Sequence, residues 1–118
     1  MVCLGNICRS PLAEGIMKHK ASQAGLDWLV DSAGTGSWHS GQSPDQRSVQ
    51  VARKYGIDIT DQRARQFERA DFERFDRIFV MDTRNRQDVL RFAGPGEDYA
   101  KVDLILNLCY PDENRSVP

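Results

Sequence analysis

The chain has 118 residues, 16 of them basic and 17 acidic, for a net charge of −1, which is enough for one domain with a modest core. A balance this even leaves no basic footprint for nucleic acid or a membrane surface, and there is no signal-peptide pattern and no apolar run of the roughly 18 residues a spanning helix needs. The three cysteines match neither a disulfide framework nor metal-ligand spacing, so no metal is expected.

Met1-Val2 reads as the end of a strand. Directly after it comes Cys3-Leu4-Gly5-Asn6-Ile7-Cys8-Arg9-Ser10, a tight loop leading into a helix that opens at Ser10-Pro11. Gly5 lets the backbone turn where a side chain would obstruct, and Asn6 tolerates unusual backbone angles. Successive amides of Leu4, Gly5, Asn6, Ile7 and Cys8 can then point inward as a nest. The helix directs its positive end at the same spot, with Pro11 expected at its first position. Arg9 adds a planar fork matched to two phosphate oxygens. The bare spacing of Cys3 and Arg9 is a weak signal. The full run of strand, glycine, asparagine, Arg-Ser-Pro and helix makes it a phosphate cradle with Cys3 as nucleophile.

The first helix is expected from Ser10 to about Ala24, with apolar residues at Leu12, Ala13, Ile16, Met17 and Ala24, and Gly25 ends it. Trp28-Leu29-Val30 reads as a strand leading into Ser32-Ala33-Gly34, and 35–43 as a Gly/Ser-rich loop. Pro44-Asp45 opens a second helix through Val49, Ala52 and Tyr55, closed by Gly56. A buried strand follows at Arg77–Met81, then a helix from about Thr83 to Phe92, a turn at Gly94-Pro95-Gly96 and a fourth strand at Val102–Leu106. Strands separated by helices predict an α/β fold: a four-stranded parallel sheet with helices on both faces, a flavodoxin-like three-layer sandwich in a single domain. Such sheets bind ligands at the carboxyl ends of their strands, where the loop after the first strand lies.

CLGNICRSP followed by LAE resembles the signature of the low-molecular-weight protein tyrosine phosphatases. Asp31-Ser32-Ala33-Gly34-Thr35, Ser43-Pro44-Asp45, Ala64-Arg65-Gln66, and Met81-Asp82 followed by Asn85 resemble further segments of that family in the same order. The resemblance implies that Cys3 and Arg9 are catalytic and that residues 4–10 bind phosphate. It gives Ser10 a hydrogen bond to the Cys3 sulfur, beside an ordinary helix N-cap role. Asn6 would be held by polar neighbours such as Ser32, and Asp82 would organise the loop through hydrogen bonds. Trp38 and His39 would flank the pocket, Trp38 as an aromatic wall. Cys8 resembles the family's second cysteine, able to form a reversible disulfide with Cys3, although an inert thiol is the alternative. Gln62 stands where many members carry a histidine of the supporting network. Cys109 reads as core and His19 as solvated.

The implied function is phosphotyrosine protein phosphatase, acting through a cysteinyl-phosphate with no metal or organic cofactor. Its partners would be phosphotyrosine proteins, with phosphate, vanadate or similar oxyanions as ligands. A reduced sulfur suits the cytoplasm. Family members carry more strand before the cysteine, and an Asp-Pro-Tyr segment whose aspartate acts as general acid. That acid is expected just after Pro118, and Asp112 and Glu113 read as solvated loop, so the 118 residues are expected to be part of a longer polypeptide. Three other readings compete. A pseudophosphatase, expected only if the polypeptide truly ends at Pro118, would bind phosphotyrosine without turnover. An arsenate reductase needs a resolving cysteine pair that 83–101 lacks. Phosphoarginine phosphatases resemble this chain but tend to carry threonine in place of Ile7.

Overall fold

The computed structural model describes residues 1–94 and 96–118. Its elements run β1 (Val2–Cys3), α1 (Arg9–Gln23), β2 (Ala33–Gly34), α2 (Gln46–Lys54), α3 (Asp71–Arg74), β3 (Ile78–Val80), α4 (Thr83–Leu90), α5 (Glu97–Lys101) and β4 (Val102–Leu104), with a 3-10 turn at Ile105–Leu108. The strands form one parallel sheet in the order β2-β1-β3-β4. Val2 pairs with Ala33 on one side and Val80 on the other. The crossovers through α1 and through α4 leave the two central strands in opposite directions. Right-handed crossovers therefore place these helices on opposite faces of the sheet. The expected α/β sandwich is the fold observed, and its topological switch point lies between β1 and β3.

The sheet buries Val2, Ala33, Ile78, Val80, Val102 and Leu104 against Phe67, Phe72 and Val89. Phe67 and Phe72 meet edge to face with centroids 5.4 Å apart. A second cluster of Val49, Ala52 and Ile59, flanked by Leu12 and Ile57, joins α2 to α1. Both helices end alike. Gly25 (φ 69°) and Gly56 (φ 74°) adopt the left-handed conformation. The amides beyond them, Leu26 and Ile57, donate back to Ala21 and Ala52, so the last carbonyls of each helix are satisfied. Asp45 caps α2 by accepting the Arg47 amide at 2.8 Å.

Several expectations need correction. Residues 28–30 form no strand. Pairing with β1 begins at Ala33, and Trp28 and Leu29 stay 58% and 79% exposed, so apolar character there marks an uncovered loop. The fourth strand stops at Leu104, because Asp103 Oδ1 accepts both the Leu104 amide and the Asn107 side chain and bends the chain into the 3-10 turn. Helix α1 starts at Arg9, with Cys8 at the N-cap position. Pro11 is then the third helical residue, where a missing donor still costs no hydrogen bond, and Ser10 is inside the helix and does not cap it. The short helices α3 and α5 carry too few periodic residues to be read from sequence. The expected turn at 94–96 includes Pro95, which lies outside the described residues. Among the described residues, no helix is long and apolar enough to cross a membrane.

Gly34 is where the fold and the first loop touch. A Cβ there would lie 2.8 Å from the Leu4 carbonyl oxygen and 3.0 Å from the Gly5 carbonyl carbon, both backbone atoms. Gly34→Ala is expected to cost about 1–3 kcal/mol through overpacking, read as a lower midpoint in urea unfolding.

Candidate active site

The loop between β1 and α1 is held from both sides. The Cys3 carbonyl accepts the Thr35 amide and the Leu4 carbonyl accepts the Gly36 amide, each at 2.9 Å. The chain then reverses at Asn6, whose φ is 56°, and enters α1 at Arg9. Among the described residues, the amides of Leu4, Gly5, Ile7, Cys8 and Arg9 donate to no acceptor of the protein, and the Asn6 amide points at the Cys3 sulfur at 3.3 Å. A ring of unpaired donors at the head of a helix attracts an anion. Cys3 sits below it, 3% exposed, while Leu4 stands 48% exposed at the rim.

Asn6 is buried and fully bonded. Its side-chain nitrogen donates to Ser10 Oγ at 2.8 Å and to Ser32 Oγ at 2.9 Å, and its oxygen accepts the Arg65 amide at 3.1 Å. The reversed amide would oppose donor to donor at Arg65, so the orientation follows from the network. Ser10 Oγ, accepting from Asn6, is free to direct its own proton to the Cys3 sulfur 3.1 Å away. Ser32 passes its proton to Glu14 Oε1 at 2.7 Å. Arg65 braces the assembly from outside, with its guanidinium bonded to Asp31 and, through two nitrogens, to the buried carboxylate of Asp71. Burial works against the Arg65 charge, but Asp71 and Asp31 outweigh it and hold its pKa above the usual value.

Across the switch point, Arg9 Nη1 donates to Asp82 Oδ2 at 2.8 Å and to the Val117 carbonyl at 3.0 Å. Asp82 is also the N-cap of α4, accepting the Asn85 amide at 2.7 Å. Burial alone would raise the Asp82 carboxyl. The Asn85 amide and Arg9 outweigh it and hold the group below the ordinary carboxylate range. One carboxylate therefore aims the arginine and closes a helix end.

The His39 ring approaches Gly5 so closely that a Cβ there would meet its Cδ2 at 3.0 Å, and its Nδ1 pairs with Gln42. Trp38 folds its ring over Gly36 and stays 70% exposed. Cys8 lies beside α2, where burial and Asp45 push its thiol up despite the Ser48 hydroxyl. Cys3, Cys8 and Cys109 are free thiols, and Cys109 is exposed, contrary to its expected place in the core. It follows the 3-10 turn, outside the sheet. Gln62 donates to the Pro11 carbonyl at 3.1 Å and makes no bond to Ser32 or Asn6. Sequence reading missed Glu14, Asp31 and Asp71 as supports. Glu14 was in view as the last residue of the LAE after the loop and as a carboxylate four residues before Lys18, but neither signal gave it a supporting role. A groove of about 700 Å³, lined in part by Met17, Trp28, Leu29 and Phe79, lies toward the amino ends of β1 and β3, away from this loop.

The model of the low molecular weight phosphotyrosine protein phosphatase family matches residues 1–116. A fission yeast (Schizosaccharomyces pombe) low molecular weight phosphotyrosine protein phosphatase is 42% identical over 98% of this chain and 75% of its own length. The crystal structure of YfkJ from Bacillus subtilis superposes with a TM-score of 0.92 at 36% identity, covering 99% of this chain and 74% of that one. A protein tyrosine phosphatase from Entamoeba histolytica, solved with Hepes in the active site, gives a TM-score of 0.90 at 38% identity, covering 99% and 75%.

Asp82→Asn is expected to destabilise the chain by about 1–2 kcal/mol at pH 7, since it weakens two hydrogen bonds to a charged group. The native pKa is depressed, so this stabilisation is complete above the unfolded value of about 3.9 and is lost as pH falls through the lower native one. Urea unfolding of both proteins from pH 7 downward should show a constant gap that closes only below about pH 4.

Proposed function

The chain belongs to the low molecular weight phosphotyrosine protein phosphatase family, and from that premise we propose that Cys3 is its nucleophile and residues 4–10 its phosphate cradle. The activity is hydrolysis of phosphotyrosine. The observation that carries the assignment is the ring of amides from Leu4, Gly5, Ile7, Cys8 and Arg9, which have no acceptor among the described residues, with the Asn6 amide turned to the Cys3 sulfur. Donors placed before the substrate arrives need no reorganisation as charge develops on the equatorial oxygens.

In the first step the Cys3 sulfur attacks phosphorus in line, opposite the ester oxygen. The S–P bond forms, the P–O bond breaks, and its electron pair leaves with the phenolic oxygen, which takes up a proton. Arg9 holds two equatorial oxygens through its fork, and Asp82 sets its angle. Water then attacks the phosphocysteine, and the S–P electron pair returns to sulfur. The Ser10 hydroxyl, oriented by Asn6, donates to that sulfur and eases its departure. The positive potential comes from amides, helix terminus and arginine, so the reaction calls for no metal or organic cofactor. No residue of the chain is assigned to protonate the leaving oxygen.

A phosphoprotein is the substrate class. Cys3 is buried while Leu4 and Trp38 are exposed, which suits a phosphate carried on a long aryl stem with Trp38 and His39 as its walls. Phosphate and vanadate would occupy the same donors. A sulfur that must stay reduced suits the cytoplasm. Peroxide would convert Cys3 to the sulfenic acid, and the Cys8 thiol would displace water to give a disulfide that a thiol reductant reverses.

The test is rapid mixing with an aryl phosphate under reducing conditions, beside Cys3→Ser. The wild-type protein should release a burst of about one phenolate per enzyme as the phosphocysteine forms, while the variant shows none yet still binds inorganic phosphate. Equal turnover by Cys3→Ser would overturn the assignment.

A further inference from the structure

The buried hydrogen-bond chain that begins at Asn6 does not end inside the protein. Ser32 Oγ accepts from Asn6 and has a single proton, which it gives to Glu14 Oε1. Glu14 lies on α1 and is 3% exposed. Its other oxygen accepts the Lys18 ammonium at 2.6 Å, and the Lys18 side chain is 51% exposed. A continuous run of four side chains therefore links the apex of the phosphate loop to a cation at the surface, one turn along α1. Asp58 and Asp61 share a shallow pocket of about 250 Å³ with Lys18, yet its ion pair is with Glu14.

We propose that the Lys18–Glu14 pair is a positioning couple for the phosphate loop, holding Asn6 in its left-handed conformation through Ser32. This rests on the reading of residues 4–10 as an oxyanion cradle. A carboxylate almost wholly withdrawn from water needs an ionic partner and hydrogen bonds to offset its lost hydration. Lys18 supplies the pairing, and Ser32 and Lys18 together supply the hydrogen bonds. A hydroxyl that donates to a carboxylate is a better acceptor in turn, so the charge at Glu14 strengthens the Ser32 bond to Asn6. Asn6 needs that bond because φ of 56° is unfavourable for a residue with a Cβ. If the couple is removed, the apex relaxes and its amides lose their common focus. Gln62 is turned to the Pro11 carbonyl and offers Ser32 no substitute. Lys18 thus acts on a reacting sulfur it never touches, and neutralising it, by mutation or by acylation of its amine, should act at the loop.

The experiment compares Lys18→Met, Glu14→Gln and Lys18→Arg, each alone and with Ser32→Ala. The readouts are the inhibition constant for inorganic phosphate, kcat and KM for an aryl phosphate, and the thermal midpoint. Lys18→Met and Glu14→Gln should weaken phosphate and lower kcat about fivefold each, Lys18→Arg should restore both, and the losses should vanish beside Ser32→Ala, because the chain is already cut. Unchanged phosphate inhibition and kcat with only a lower midpoint would overturn the proposal, leaving the pair a surface brace. Undiminished losses beside Ser32→Ala would overturn it too. Failure of the unmutated protein to bind phosphate would instead sink the cradle reading itself.

Discussion

One buried amide holds the active loop together. Asn6 donates to Ser10 on α1 and to Ser32 just before β2 and accepts from the Arg65 amide, so three separate stretches of the chain converge on a single side chain. Its left-handed backbone turns neighbouring amides toward one point, and no other residue in the loop has both that conformation and such bonding. Ser10 aims its proton at sulfur only because Asn6 occupies its acceptor side. The Cys3 sulfur, the unpaired loop amides and the Ser10 hydroxyl are thus held by one constraint.

The sheet supplies the frame for that constraint. β1 delivers Cys3 and β3 delivers Asp82 through the adjoining Met81, and these strands are neighbours across the switch point. Arg9 spans the gap to Asp82. Its ion pair is about one-quarter exposed on each side, so it is screened less than a surface pair. Gly34 allows the second strand to lie against the loop with no side chain between them. Chemistry and fold meet at backbone atoms, which leaves little room for drift.

What sequence made legible follows from the range of the forces involved. The loop residues, the two glycine-terminated helices and the Asp45 cap depend on neighbours within a few positions, and each can be read locally. The supports of the loop depend on packing. Glu14 stands four residues before Lys18 as a solvated helix pair would, yet it is buried, with Ser32 bonded to one oxygen and Lys18 to the other. Arg65 and Asp71 form a pair whose partner Asp31 lies far upstream. Trp28 to Val30 misleads in the opposite sense: apolar β-formers without a partner strand remain irregular chain. The turn after Leu104 hangs on the Asp103 side chain bonding Asn107, which no hydropathy pattern encodes. Gln62 shows a third limit, since its departure from the family pattern was visible but the carboxylate that serves Ser32 was not.

The placement of the two tryptophans has an optical consequence. Trp28 and Trp38 are both largely in water in the folded chain, so native emission already lies toward long wavelengths and global unfolding shifts it little. Trp38, lying over Gly36 in the segment tied to Leu4, is instead a natural local probe. Its intensity follows the local state of that segment, a signal distinct from global unfolding.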